Sequence, residues 1–266
     1  MTVLLSGFEL ENLAAGIAAN AHDLPGAAAG TFLGGTTFLA LAVAGIAALL
    51  SPMQARLPSA VLGWTAAAPV PLLVLSLDDR LSRVDGALLL AWFAIALYAI
   101  SRSAKDLMGQ DDFRPRRRPL LRIFGGLAAL TAGGDLLGEG LRRVVSRFDI
   151  SSTLLGNTAL AASVEAEEIA RVAVPARHGR GELGFANVAG TIVHFVGLNA
   201  GVIALVRPLE LDSQTTHLHL PVTVGAVATL CVLLFRRQGL GKTEGAALLA
   251  LYGAYVAVAI VVAAGG

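Results

Sequence analysis

Charge is what this sequence has least of. Asp, Glu, Lys and Arg supply 15% of its 266 residues, against about 25% in an ordinary soluble domain, while 55% are hydrophobic and mean hydropathy is +0.70. That shortage excludes a soluble globular domain and predicts an integral, multi-pass membrane protein; the membrane expected is a prokaryotic-type plasma membrane. The net charge of +1 lacks the basic surplus that nucleic-acid binding needs. A single cysteine, Cys231, rules out an intramolecular disulfide and reads as a packing thiol in an apolar run. Met1 to Leu5 lack the basic start and apolar core of a cleavable signal peptide. Phosphate-binding glycine loops, zinc-protease helices and nucleophile elbows are also missing, so neither an enzyme nor a cofactor is expected.

What is present is a series of apolar runs near the roughly 20 residues that cross a bilayer. They are Ala27–Leu50, Ser59–Leu77, Val84–Ser101, Leu120–Leu141, Ser152–Val174, Gly184–Val206, Leu220–Phe235 and Gly245–Ala264, preceded by an incomplete amphipathic segment, Thr2–Ala19. The reading is an all-α, polytopic helix bundle with about nine to ten transmembrane segments. With the loop between Ser101 and Leu120 in the cytoplasm, thirteen of the 20 Lys and Arg residues fall at cytoplasmic ends and six opposite. The basic run Arg114 to Arg118 anchors that topology and can bind anionic membrane lipid.

Two stretches 156 residues apart read as copies. Ser6-Gly7-Phe8-Glu9-Leu10-Glu11-Asn12-Leu13 matches Ala162-Ser163-Val164-Glu165-Ala166-Glu167-Glu168-Ile169, and the match continues through His22 and His178, Gly34 and Gly190, Gly45 and Gly201, Pro52 and Pro208. Near the ends, Arg83-Val84-Asp85-Gly86-Ala87 resembles Lys242-Thr243-Glu244-Gly245-Ala246. Five helix steps separate counterparts, and an odd number inverts one copy relative to the other. The expected units are a first repeat at 1–105, a basic cytoplasmic linker at 106–118 and a second repeat at 119–266. Inverted repeats are how many secondary transporters build a site at the bilayer midplane.

Each copy carries acids inside an apolar segment, where one carboxylate costs roughly 2.5–3.5 kcal/mol at a helix centre. Spacing of three puts Glu165 with Glu168, and Glu9 with Asn12, on one helix face. Hard cations take six to eight oxygen ligands from carboxylates, amides, hydroxyls and carbonyls. The candidate ion-binding set is therefore Glu9, Glu11, Asn12, Thr36, Thr37, Glu165, Glu167, Glu168 and Asn187, with Glu168, Glu165 and Glu9 as the metal ligands. Arg171, six residues before Arg177, is expected to snorkel towards the cytoplasmic end. His194 reads as a satisfied packing residue, and His217-x-His219 as weak support for a metal.

The run Gly156-Asn157-Thr158-Ala159-Leu160-Ala161-Ala162-Ser163-Val164-Glu165-Ala166-Glu167-Glu168-Ile169 resembles G-x-T-x-x-A-x-G-T-S-x-P-E-L, the first repeat arm of the cation/Ca²⁺ exchanger superfamily. Ala186-Asn187-Val188-Ala189-Gly190-Thr191 is similar to the second arm, G-N-x-x-G-S-N. The resemblance covers most of the chain, strongly in the second half and weakly in the first. It implies two inverted five-helix halves, exchange of Ca²⁺ for Na⁺ or H⁺, and a place for Glu168 at the family's ion-binding glutamate. Several positions depart from the pattern: Val164-Glu165 replaces T-S, Glu167 replaces the proline, and Phe195 replaces a polar residue. In the first copy Asn12 stands where the glutamate belongs. Only eight residues precede Glu9, so the expected start is either truncated or completed by another chain.

The function expected is secondary active cation antiport by alternating access, with inorganic cations as partners. The alternative is a degenerate, non-transporting member acting as a membrane interaction protein.

Overall fold

The computed structural model describes residues 10–103, 133 and 136–265. Nine helices are described: α1 (Leu10–Ala21), α2 (Pro25–Leu50), α3 (Ser59–Leu75), α4 (Arg83–Ser103), α5 (136–148), α6 (152–177), α7 (Gly181–Val206), α8 (Thr215–Arg237) and α9 (Lys242–Gly265). Five of them, α2, α4, α7, α8 and α9, are long and apolar enough to cross a membrane. Glu9, the linker at 106–118 and most of the Leu120–Leu141 span lie outside the described residues.

The duplication is written into the backbone. Helices α2 and α7 have the same bounds once 156 is added, and each contains a π turn at matching places, Phe38–Val43 and His194–Asn199. Left-handed turn residues also pair: Asp23 with Gly179, and Asp79 with Gln238. Local chemistry repeats at the last helix of each copy. The Asp85 carboxylate accepts the Ser82 backbone N–H, and the Glu244 carboxylate accepts that of Gly241, so each acid caps an otherwise unsatisfied helix start.

The repeats then exchange partners across a pseudo-twofold axis. Strand β1 (Met53–Gln54) pairs antiparallel with β4 (Gly239–Leu240), while β2 (Arg80–Leu81) pairs with β3 (Leu209–Glu210). Each pair joins the end of one copy's long helix to the start of the other copy's last helix. Below each pair two glycines cross. A Cβ on Gly45 would lie 2.9 Å from the Gly245 carbonyl oxygen, and one on Gly201 would lie 2.9 Å from that of Gly86. Any side chain at these crossings would push backbones apart, as expected where membrane helices pack closely. Two oppositely oriented copies are the arrangement that makes each crossing the mirror of the other in role.

Helices α2 and α7 form the buried centre, while α4 and α9 expose apolar faces such as Leu88, Ile95, Val258 and Val261. Exposed apolar surface on that scale suits lipid rather than water. Helices α2, α4, α7, α8 and α9 all start before the first residue of the expected span, α8 by the most. Helix α8 begins near Thr215 rather than Leu220, because Asp212 accepts the Thr215 N–H at 2.7 Å and caps a polar first turn. Helix α3 is broken at Ala68, where Pro69 ends one helical segment and opens the next.

Candidate ion-binding site

The acids of the second copy lie where α6 changes its winding. The helix passes from a π turn at Gly156–Leu160 to a 3₁₀ turn at Glu165–Glu167 and back to α at Glu168. In a 3₁₀ turn residues three apart eclipse, so Glu165 and Glu168 share one face and both are 0% exposed. Glu167, between them, turns outwards to a side-chain exposure of 57%. Its counterpart Glu11 on α1 is likewise exposed, and the counterpart of Glu168, Asn12, is buried.

Three side chains meet around the two buried carboxylates. Asn12 Nδ2 on α1 donates to Glu165 Oε1, a contact between the repeats. Asn187 Nδ2 on α7 donates to Glu168 Oε2 at 2.7 Å. Arg171 Nη1 donates to Glu168 Oε1 at 2.5 Å and its Nη2 to Glu167 Oε1 at 2.6 Å. Arg171 therefore reaches back onto the acids instead of snorkelling to the cytoplasmic end. A guanidinium on a flexible stem at i+3 and i+4 from two carboxylates finds a stronger partner in them than in the interface.

The wall facing Glu165 is bare backbone. A Cβ on Gly35 would stand 3.6 Å from Glu165 Oε1 and 2.7 Å from the Phe195 ring. Phe195, the residue that displaces a polar group of the motif, thus covers the glycine beside the carboxylate. Thr36 is fully buried and its hydroxyl has no hydrogen-bond partner. Thr37 turns to α8 and shares a 2.9 Å hydrogen bond with Thr223 Oγ1, so it is directed away from the acids. Of the expected set, Asn12, Glu165, Glu168 and Asn187 come together. Glu11 and Glu167 are exposed, Thr37 is engaged elsewhere and Glu9 is outside the described residues.

Histidines divide by environment. His194 is buried against Phe93, ring centres 4.9 Å apart, with Nδ1 2.8 Å from the Gly190 carbonyl. The counterpart contact in the first copy is Phe38 against Tyr252 at 5.4 Å. His217 is exposed, whereas His219 is buried with Nδ1 2.8 Å from the Tyr255 hydroxyl. The pair therefore shares no ligand. Among the described residues no group of three or more His, Cys, Asp or Glu is placed to hold a metal ion. The pairing of His219 with Tyr255 and of Thr37 with Thr223 had no signal in the sequence, since the partners lie 36 and 186 residues apart.

Known proteins share this architecture. A model of the sodium/calcium exchanger protein family matches residues 1–102 and 119–261. The chain is 28% identical over 258 residues to the inner membrane protein YrbG of Escherichia coli, covering 90% of this chain and 78% of that one. It is 26% identical over 250 residues to the putative antiporter CaxA of Alkalimonas amylolytica, covering 86% and 76%. A solved structure of the sodium–calcium exchanger NCX_Mj superposes with a TM-score of 0.67 at 21% identity, over 97% of this chain and 84% of the other. That last likeness carries the fold alone, and it is the same inverted-repeat helical bundle. A family match across both copies, on a multi-pass protein of a prokaryotic-type plasma membrane, leads to one conclusion: this chain belongs to the sodium/calcium exchanger protein family.

Proposed function

We propose that the chain is a secondary active antiporter exchanging Ca²⁺ for Na⁺ or H⁺, with Glu165 and Glu168 as the charged ligands of the transported ion. The observation that carries this is the pair of carboxylates at 0% exposure between the two repeats, each held by an amide from another helix. Two buried acids in a membrane protein are expensive unless cations use them. In the geometry described, both amides present N–H groups to the acids. Rotation of Asn12 or Asn187 by half a turn offers Oδ1 instead, which converts a set of donors into a set of oxygen ligands. The neutral hydroxyls of Thr36 and Thr191, both fully buried on α2 and α7, are further candidate oxygen donors.

Coupling follows from competition. A cation and a proton need the same carboxylate oxygens, so loading one expels the other. Alternation follows from the repeat: two like halves in opposite orientation can exchange roles with little change in backbone energy. The ion pair of Glu168 with Arg171 favours a second reading, a member that no longer transports.

Ion flux in proteoliposomes tests the proposal. Wild-type protein is expected to exchange Ca²⁺ against an imposed Na⁺ or H⁺ gradient, and Glu168→Gln to lose that exchange. A Glu168→Gln protein that transports like the wild type would remove the central claim. Calorimetric titration with Ca²⁺ separates the second reading, which expects no binding.

A further inference from the structure

We infer that Arg171 is a resident counter-cation of the site, one that occupies Glu168 between loadings and sets the preference between divalent and monovalent ions. The inference rests on the antiport reading and adds to it a residue that governs choice of cargo.

Both oxygens of Glu168 are taken. Oε1 accepts from Arg171 at 2.5 Å and Oε2 from Asn187 at 2.7 Å. An amide can rotate and become a ligand, but a guanidinium has no acceptor and keeps its proton at any reachable pH. It can make way for a cation only by moving. The structure gives it somewhere to move. Its second nitrogen already holds Glu167, which is 57% exposed, and the Arg171 side chain is itself 38% exposed. Swinging about its stem, the guanidinium can leave the buried acid and keep the exposed one.

The repeat supplies an internal control. The counterpart of Glu168 is Asn12, and the counterpart of Arg171 is Ala15, both buried. An acid and a base stand together in the second copy, while both positions are uncharged in the first. The arginine therefore belongs with the acid and is not a topology signal; Arg177 and Arg180, both exposed, already mark that end. With the guanidinium in place, Glu168 presents little net field to an arriving ion. A divalent ion feels the neighbouring positive charge twice as strongly as a monovalent one, because Coulomb energy scales with the product of charges. Arg171 thus discriminates against Ca²⁺ and keeps its binding reversible.

Calorimetric titration of the purified full chain in detergent, with CaCl₂ and separately NaCl, tests this. Arg171→Gln is expected to raise Ca²⁺ affinity about tenfold, the scale of one charge-assisted contact after solvent screening. The Na⁺ gain is then about threefold, the square root required by the charge ratio. Arg171→Lys keeps the charge and should leave the Ca²⁺/Na⁺ affinity ratio at its wild-type value. Wild-type binding with an Arg171→Gln protein that binds Ca²⁺ no tighter overturns the inference and leaves the antiport reading standing. An Arg171→Lys ratio shifted as far as that of Arg171→Gln also overturns it, because charge would not be the cause. No binding of either ion by any of the three proteins overturns both. If Arg171→Gln fails to fold, infrared difference spectra of wild-type protein with ¹⁵N-labelled arginine still decide. Adding Ca²⁺ should shift a guanidinium band, and no shift overturns the inference.

Discussion

Helices α1 and α6 sit at equivalent places in the two copies, yet they present different chemistry to the same centre. α1 offers Asn12 and Ala15, both buried, where α6 offers Glu168 and Arg171. Around them the scaffold is duplicated closely: the π turns, the left-handed turns, the acidic helix caps and the glycine crossings all have counterparts. The contrast teaches that scaffold and ligand chemistry are under separate constraints. Under the proposed alternating access, backbone features must match for the two halves to trade places, because each crossing in one state would become its mirror in the other. Side chains at the centre need only sum to the right charge, so acid and base can collect on one helix while the other turns neutral.

The strongest way to break the comparison is to make α6 like α1. Glu168→Asn should reduce cation flux in proteoliposomes about 10- to 100-fold, the range of one or two charge-assisted contacts. Equal flux would mean the acid is not a ligand. The reciprocal change, Asn12→Glu, places a third acid beside Glu165 and should make Ca²⁺ binding steeper in pH, because another proton must leave first. On the proposed reading protons compete with the cation for Glu165 and Glu168, so wild-type affinity is expected to fall as pH falls. Titrations at a series of pH values read both effects.

Next in size is the scaffold. Gly45→Val and Gly201→Val each drive a side chain into a backbone carbonyl 2.9 Å from the ideal Cβ. Each should cost about 1–3 kcal/mol, the usual penalty for overpacking, and the two losses should be alike. Thermal unfolding in detergent measures them. One severe loss beside one silent change would show that the crossings are not equivalent.

The smallest effects concern what only one copy has. Tyr255→Phe removes the hydroxyl that meets His219 and should cost about 0.5–1.5 kcal/mol in the same melt. The counterpart of His219 is Gly63, where an added Cβ meets nothing within 4 Å, so Gly63→Ala should be silent. A reversal of these two results would mean the pairing of His219 with Tyr255 is incidental.

Much of this was legible in the sequence, for reasons that can be named. The duplication shows because Gly45, Gly201, Gly86 and Gly245 sit at close crossings where no other residue fits. The split between buried Glu165 and Glu168 and exposed Glu167 follows from a spacing of three. The direction of Arg171 is not legible, because a long stem reaches either way and only the positions of Glu167, Glu168 and the helix end together decide. Thr37 carries no mark of its partner Thr223, which is 186 residues away. The start of α8 is hidden in the sequence because Thr215 to His219 looks polar, and burial beneath an Asp212 cap is a tertiary fact. Strands of two residues fall below any pattern that alternation can reveal.

Those short strands have a consequence for synthesis. Met53 pairs with Leu240, so an early edge has no partner until 240 − 53 = 187 further residues have been made. At roughly 5–20 residues per second that is about 10–40 s of waiting in the bilayer. During that interval the groove at Gly45 also lacks Gly245, so the nascent first copy carries an open backbone edge and an unfilled seam. The matching glycine pair, Gly86 with Gly201, closes earlier, which orders assembly from the β2–β3 pair to the β1–β4 pair. Ribosome-stalled chains ending before and after Leu240, probed by a cysteine cross-link between positions 53 and 240 or 81 and 209, would reveal that order. A translating cell holding such an intermediate is exposed to its loss by membrane proteases, and slowing translation late in the second copy should lower the yield of intact protein more than slowing it early.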